Sequence, residues 1–252
     1  MVWPGRALPP PTMKFRTFSR SALPLLLTLV SLAASSEKAQ AVTMFIDFGD
    51  TATTTSGGNS WNNVTTAIGT VPGSGIGNLT TSTGTASGIA LTIVARFGGA
   101  NTNGTTAAGS GYPNPSATGD SLYGNTEEFS GRSNIFPVFT LSNLTLGQTY
   151  DFNFFASRTG ASDNRETTYT IEGATTSSVS LNAANNVSNT VGQTGVLPDA
   201  SGEITIRITA GPNNTNSSHF TYLNVLEVNT VPEPASAAVL CLGGLLMLRR
   251  RR

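Results

Sequence analysis

Apolar and polar residues alternate with a period of two along the second half of this chain. Tyr150, Phe152 and Phe154 are separated by Asp151 and Asn153, and Ile204, Ile206 and Ile208 by Thr205, Arg207 and Thr209. Successive side chains of a strand point to opposite faces, so each segment offers one face to a core and one to water. Shorter β-branched and aromatic runs predict further strands over 45–48, 89–97, 137–141, 167–172, 177–181 and 220–228. Turn formers such as Gly160, Gly173, Pro198-Asp199 and Gly211-Pro212 lie between them. Many short strands divided by turns predict an all-β fold, a single β-sandwich. The stretches 51–88 and 98–118 are rich in Gly, Ser, Thr and Asn and read as long loops or weak strands that either carry binding surface or stay flexible.

Within the body, Leu144-Thr-Leu-Gly147-Gln-Thr-Tyr150 resembles the tyrosine corner of fibronectin-type and other Greek-key sandwiches, in which the tyrosine hydroxyl ties back to upstream backbone. Strands at both ends, 45–48 and 220–228, suggest that the termini pair, which favours a jelly-roll-like (galactose-binding-like) sandwich over an immunoglobulin- or fibronectin-like topology.

The two ends of the chain follow different patterns. At the N-terminus, Lys14, Arg16 and Arg20 precede an apolar run from Ala22 to Leu32 and a small-residue site at Ala39-Gln40-Ala41, the organisation of a cleavable signal peptide. Met13 is the better natural start, because it sets the charges directly at the N-terminus. At the other end, Val231-Pro232-Glu233-Pro234 precedes an apolar run from Ala235 to Leu248 and then Arg249, Arg250, Arg251 and Arg252. Fourteen apolar residues in a helix reach about 21 Å, short of a bilayer core of about 30 Å, so the expected C-terminal hydrophobic helix is a marginal span held by its flanks. The arginines favour a cytoplasmic C-terminus, and the prolines keep Glu233 extended.

This tail resembles the PEP-CTERM sorting signal of exported bacterial proteins. The resemblance implies an exosortase as processing partner, passage through the inner membrane, and a destination at the cell surface or in the extracellular matrix. It also implies association with exopolysaccharide or biofilm. The organisation expected is therefore 1–41 leader, 42–230 exported sandwich and 231–252 sorting segment.

Removing the ends changes the charge balance. The full chain carries 14 basic and 14 acidic residues, but both lysines, Lys14 and Lys38, lie in the leader and four arginines lie in the tail. Between 42 and 230, five arginines face twelve carboxylates, a net charge of −7. Such a body has no basic patch for phosphates, which argues against a nucleic-acid partner. The sole cysteine, Cys241, lies in the tail, so the body has neither disulfides nor a thiol nucleophile.

Few motifs carry chemistry. Gly119-Asp120-Ser121-Leu122 resembles the nucleophile block of GDSL hydrolases, and Gly124-Asn125 echoes their oxyanion asparagine. The surroundings do not follow the family: Pro113, Pro115 and Gly119 place the serine in a loop, and the only histidine, His219, has Asn216 where the family has aspartate. The expectation is a non-enzyme. One histidine and no body cysteine also exclude a typical zinc centre. No cofactor is expected beyond a structural calcium, for which Asp163, Asn164 and Glu166, or Asp47 and Asp50, supply oxygen ligands. Adjacent Glu127 and Glu128 would point to opposite faces of a strand, which suits a solvated edge rather than a catalytic pair.

The candidate ligand-binding residues are Arg158, Asp163, Asn164 and Arg165, which bring forked donors and a carboxylate to one loop, and Trp61, the tryptophan of the exported body. The donors suit sugar hydroxyls or acidic polymers, so extracellular polysaccharide is the candidate partner. Two other readings stand beside these: Asp163 and Arg165 pair with one another, and Trp61 caps the core. Sequons at Asn63, Asn78, Asn143 and Asn186 leave N-glycosylation open. The function expected is a non-catalytic surface or matrix protein, with a carbohydrate-binding module of jelly-roll type as the alternative and a GDSL-like hydrolase third.

Overall fold

The computed structural model describes residues 41–231 except 54, 57, 114, 132 and 133. The leader, with Ala39, and the tail from Pro232 onward, with the expected helix and arginines, lie outside the described residues.

Among the described residues, fifteen strands and one short helix follow in order: β1 Thr43–Phe48, β2 Thr55–Ser56, β3 Asn59–Val64, α1 Thr66–Gly69, β4 Gly75–Ile76, β5 Ala90–Ala95, β6 Gly99–Asn101, β7 Ser121–Asn125, β8 Val138–Ser142, β9 Thr149–Phe155, β10 Glu166–Glu172, β11 Thr176–Asn182, β12 Val191–Val196, β13 Ile204–Ala210, β14 Phe220–Leu223 and β15 Val225–Val231. Two six-stranded sheets, ordered β12-β9-β15-β1-β3-β2 and β11-β10-β13-β8-β5-β4, supply the layers of a β-sandwich. A third sheet, β14-β7-β6, stands apart from both. The first and last strands pair antiparallel from Thr43↔Asn229 to Asp47↔Val225, the closure expected of a jelly roll.

Alternation places the core as expected. Met44, Ile46 and Phe48, with Phe152 and Phe154, line the first sheet, while Ile204, Ile206, Ile208, Tyr169, Ile171, Phe139 and Leu141 line the second. Across the gap, Phe154 stacks on Tyr169 with centroids 4.4 Å apart and planes 7° apart. The tyrosine corner is present: Thr145 N donates to the Tyr150 hydroxyl at 3.0 Å, around Gly147 at φ 83°. An L-residue there would be strained.

Two expectations need correction. The segment 220–228 is not one strand, because it breaks at Asn224 and passes from the third sheet (β14) to the first (β15). Of the two readings of 51–88 and 98–118, the weak strands are present: the first stretch contains β2, β3 and β4 with α1, and the second contains β6. β3 escapes notice because its sequence, NSWNNV, is polar. Its buried Asn62 completes a ladder through its side chain, donating to Phe45 O at 3.0 Å and Thr80 O at 2.8 Å and accepting from Thr80 N at 2.8 Å. Finally, Val231 belongs to β15, where it pairs with Thr149, so the sandwich extends one residue further than expected.

Candidate functional site

The third sheet presents an aromatic face. Tyr222 and Tyr123 are directly opposed in the β14–β7 ladder, and Phe220 lies two residues before Tyr222, so all three side chains share one side. Tyr123 meets Phe220 edge-on at 5.5 Å, and Phe129 meets Phe220 edge-on at 4.8 Å. Gly98 lies flat against the Tyr123 ring: a Cβ there would fall 2.6 Å from it. These rings, with Asn101, Arg158 and Arg165, line a cavity of about 280 Å³.

The arginines come from the β9–β10 connection. Arg158 is fixed through its backbone, its N–H donating to Ala183 O at 2.7 Å and its carbonyl accepting from Asn185 N at 2.9 Å. Arg165 donates from Nε to Asp163 Oδ1 at 2.5 Å and from a terminal nitrogen to the Tyr222 hydroxyl at 2.8 Å. Its guanidinium also lies 5.7 Å from the Phe220 centroid, in cation–π range. Asp163 Oδ2 accepts from Asn216 Nδ2 at 2.8 Å. The hydrogen bond from Arg165 holds the Asp163 carboxyl below the usual carboxylate range. Burial pushes the Tyr222 phenol up, and both Arg165 and Arg158 act in the opposite sense. Both guanidinium groups line the cavity, and that of Arg165 is hydrogen-bonded to the Tyr222 hydroxyl. Of these two arginines, Arg165 has a carboxylate partner; Arg158 donates to Thr159 O, and its buried Nε has no acceptor.

The other expected ligand residues separate. Asn164 orders the loop, its Oδ1 accepting from Glu166 N at 2.8 Å and its N–H donating to Thr215 Oγ1 at 2.9 Å. Glu166 is taken up by Asn213 at 3.1–3.3 Å. Asp163, Asn164 and Glu166 thus each serve different partners, and among the described residues no three His, Cys, Asp or Glu gather in the manner of a metal site. Trp61 is absent from this cavity. It lies buried in β3 on the outer face of the first sheet and stacks on Phe45 at 4.9 Å, in a small cluster with Ala117, Phe155, Val225 and Tyr112. Tyr112 fastens the covering segment by donating to Glu227 Oε2 at 3.1 Å and accepting from Asn153 Nδ2 at 3.0 Å. Trp61 is thus packed in a separate cluster and not over the main core.

The hydrolase reading fails on geometry. Ser121, fully buried, lies in β7 rather than in a loop, and Phe220, next to His219, pairs with Asn125 at the other end of that strand. Four residues of strand separate serine from histidine by about 13 Å, beyond any proton transfer between them. Glu127 and Glu128 are exposed, as a solvated edge requires. Among the sequons, Asn186 is buried and its Nδ2 is engaged by Ala156 O and Asn189 O, so it is closed to a glycan; Asn78 and Asn143 are exposed. A second cavity, of about 390 Å³ around Val42 and Thr81–Ala86, has only small aliphatic and hydroxyl side chains and offers neither a ring nor a charge to a ligand.

No family model and no curated protein matches this chain. Among solved structures it is similar to the ANXUR1 extracellular domain from Arabidopsis thaliana, at 14% identity and TM-score 0.44 over 77% of this chain and 49% of that one. It is also similar to the complex of plant peptide RALF23 with FER and LLG2, at 13% identity and TM-score 0.45 over 75% and 48%. A third likeness is to TmCBM61 in complex with beta-1,4-galactotriose, at 12% identity and TM-score 0.29 over 58% and 90%. The chain spans about half the length of the two plant structures.

Proposed function

We propose that this chain is an exported, non-catalytic protein of the bacterial cell surface or extracellular matrix, and that its sandwich binds an acidic polysaccharide in the cavity between the third sheet and the β9–β10 connection. The observation that carries the reading is the meeting of Arg158 and Arg165 with the aromatic rings at one cavity, where Asp163 is paired with Arg165 alone. The cavity keeps one uncompensated positive charge in a body whose net charge is −7. Guanidinium groups match carboxylate or sulfate oxygens two at a time, and the rings of Tyr123 and Phe220 offer apolar faces to a sugar. Export rests on the signal-peptide pattern and on the VPEP and arginine tail, which also support exosortase processing and transient anchoring in the inner membrane.

Affinity electrophoresis of the purified protein through gels of uronate-bearing, sulfated and neutral polymers tests the binding. Retardation by the acidic polymers and free passage through neutral ones is expected. Free passage through all of them defeats the reading, and retention by a neutral polymer with equal strength defeats its charge component. Mass spectrometry of the mature C-terminus tests the sorting: a terminus near Val231–Pro234 is expected, and retention of Arg252 speaks against cleavage.

A further inference from the structure

A second constellation lies on the outer face of the first sheet, beyond the sugar cavity. Asp47, at the end of β1, and Asp120, just before β7, are buried to 1% and 3% relative exposure. Residues 49–53 fold back between them. Thr51 N donates to Asp120 Oδ2 at 2.7 Å, and Thr53 N to Asp47 Oδ2 at 3.1 Å. Gly49 makes room for the Asp120 carboxylate, since a Cβ there would fall 2.2 Å from Oδ1. Each carboxylate thus spends Oδ2 on backbone and leaves Oδ1 buried with no hydrogen-bond partner, and the buried hydroxyl of Thr53 is unpartnered as well.

Buried anions without a partner are costly, and this arrangement places two together. Their proximity is felt, because the charge of Asp120 adds to burial in raising the Asp47 carboxyl. No ion pair among the described residues compensates them. The body has no lysine, and the ion pairs among the described residues, Asp163–Arg165 and Glu172–Arg207, lie elsewhere. The vacant atoms are all oxygens, two of them carboxylate, a hard donor set that suits calcium rather than zinc or copper.

We propose that Asp47 Oδ1, Asp120 Oδ1 and the Thr53 hydroxyl bind a calcium ion. Two carboxylates balance its charge, and backbone carbonyls and water complete a shell of six to eight oxygens. The ion fastens residues 49–53 to the segment that precedes β7 and so stabilises the cover over Trp61. With only two charged ligands the affinity belongs to the range of extracellular modules, a Kd of about 10⁻⁴–10⁻³ M.

The test uses the purified full chain after treatment with EGTA. Calcium at about 10 mM should raise the melting temperature by about 3–10 °C. Terbium should show emission on tryptophan excitation, since Trp61 pairs with Phe45, two residues from Asp47 and so about 8 Å away across the ladder. Both effects should vanish in Asp120→Asn, whose own melt serves as the control for folding. If calcium leaves the wild-type melt unchanged, terbium emission is the same in wild type and variant, and Asp47→Asn melts higher than wild type, the two carboxyl groups share a proton and the proposal is overturned. Should the variants not fold, the wild-type calcium titration alone decides: no saturable shift means no site.

Discussion

Replacing Arg158 by Met removes one of the two cations at the cavity while keeping a stem of similar length against the rings. The backbone of Arg158 is held by Ala183 and Asn185, so the loop has no reason to move. The guanidinium gives up only its bond to Thr159 O and its approach to Tyr222, and the loss of its unpartnered Nε removes a buried donor. Stability should therefore stay within about 0.5 kcal/mol, as for substitutions that leave no buried group stranded. Binding should not. A hydrogen bond to a charged group contributes about 1.5–3 kcal/mol, so affinity for an acidic polymer should fall by about 10- to 150-fold. Asp163→Asn should act in reverse: it keeps the shape of the loop but frees Arg165, tightening binding by about 0.5–1 kcal/mol. Isothermal titration at about 0.05 and 0.3 M salt would measure both variants, and the gap between Arg158→Met and wild type should narrow at the higher salt. Equal affinities in wild type and Arg158→Met, or weaker binding in Asp163→Asn, would refute the electrostatic reasoning. The low pKa of Asp163 fixes the acid limit. Its pairing contributes stability above the ordinary carboxylate value of 3.8 and is lost only as pH falls through the lower folded value, so any difference between wild type and Asp163→Asn should persist at pH 4.

Three further substitutions separate structure from site. Trp61→Ala should lower stability by about 2–4 kcal/mol, as for a large ring lost from a cluster, yet leave polymer affinity unchanged once the protein is folded; chemical denaturation and the gel assay report each half. Tyr169→Phe strands the Tyr222 carbonyl that its hydroxyl meets at 2.7 Å, at a cost of about 1–3 kcal/mol, and should be read in the same denaturation series. Ser121→Ala removes a buried hydroxyl that has no partner and should be neutral or stabilising by thermal melt; a clear loss of stability would show a bond to Ser121 Oγ that the geometry lacks.

How much of this was legible in the chain follows from what each residue signals locally. Ile204, Ile206 and Ile208 announce a half-buried strand because all their partners lie on one face, and the Leu144–Tyr150 corner is legible because its bond spans five residues. β3 was hidden, since Asn62 buries itself by doing a backbone's work with its side chain, and no hydrophobic pattern records that. β12, with the sequence VGQTGV, buries only Val196 and carries little apolar signal. In the site, the loop from Arg158 to Arg165 was visible as a dense set of charges. Its aromatic floor was not, because Tyr123, Phe129, Phe220 and Tyr222 come from segments almost a hundred residues apart and meet only through the β14–β7 ladder. The alternation of Phe220 with Tyr222 was the available clue, but the break at Asn224 that sets both rings in a third sheet leaves no hydrophobic signal.

Asn224 is the residue at which the chain changes sheets. Its side chain is fully buried and serves three backbone groups: Nδ2 donates to Thr118 O at 3.1 Å and to Asp120 O, and Oδ1 accepts from Ser157 N at 2.8 Å. Its own backbone continues the first sheet, accepting from Phe48 N at 2.7 Å and donating to Phe155 O at 3.1 Å. One side chain thus joins the segment before β7 to the start of the β9–β10 connection, one residue ahead of Arg158. Asn224→Ala would strand the Ser157 N–H and the Asp120 carbonyl, each costing about 1–3 kcal/mol, so a loss of at least about 2 kcal/mol is expected. Asn224→Asp keeps the acceptor for Ser157 but turns an acceptor-only oxygen on two carbonyls, and it should be no better tolerated. Hydrogen exchange at the Ser157 amide locates the effect: fast exchange there together with weakened polymer binding is the expected pair. A variant that folds stably with slow exchange at Ser157 would mean that the third sheet and the arginine loop are positioned independently of this residue.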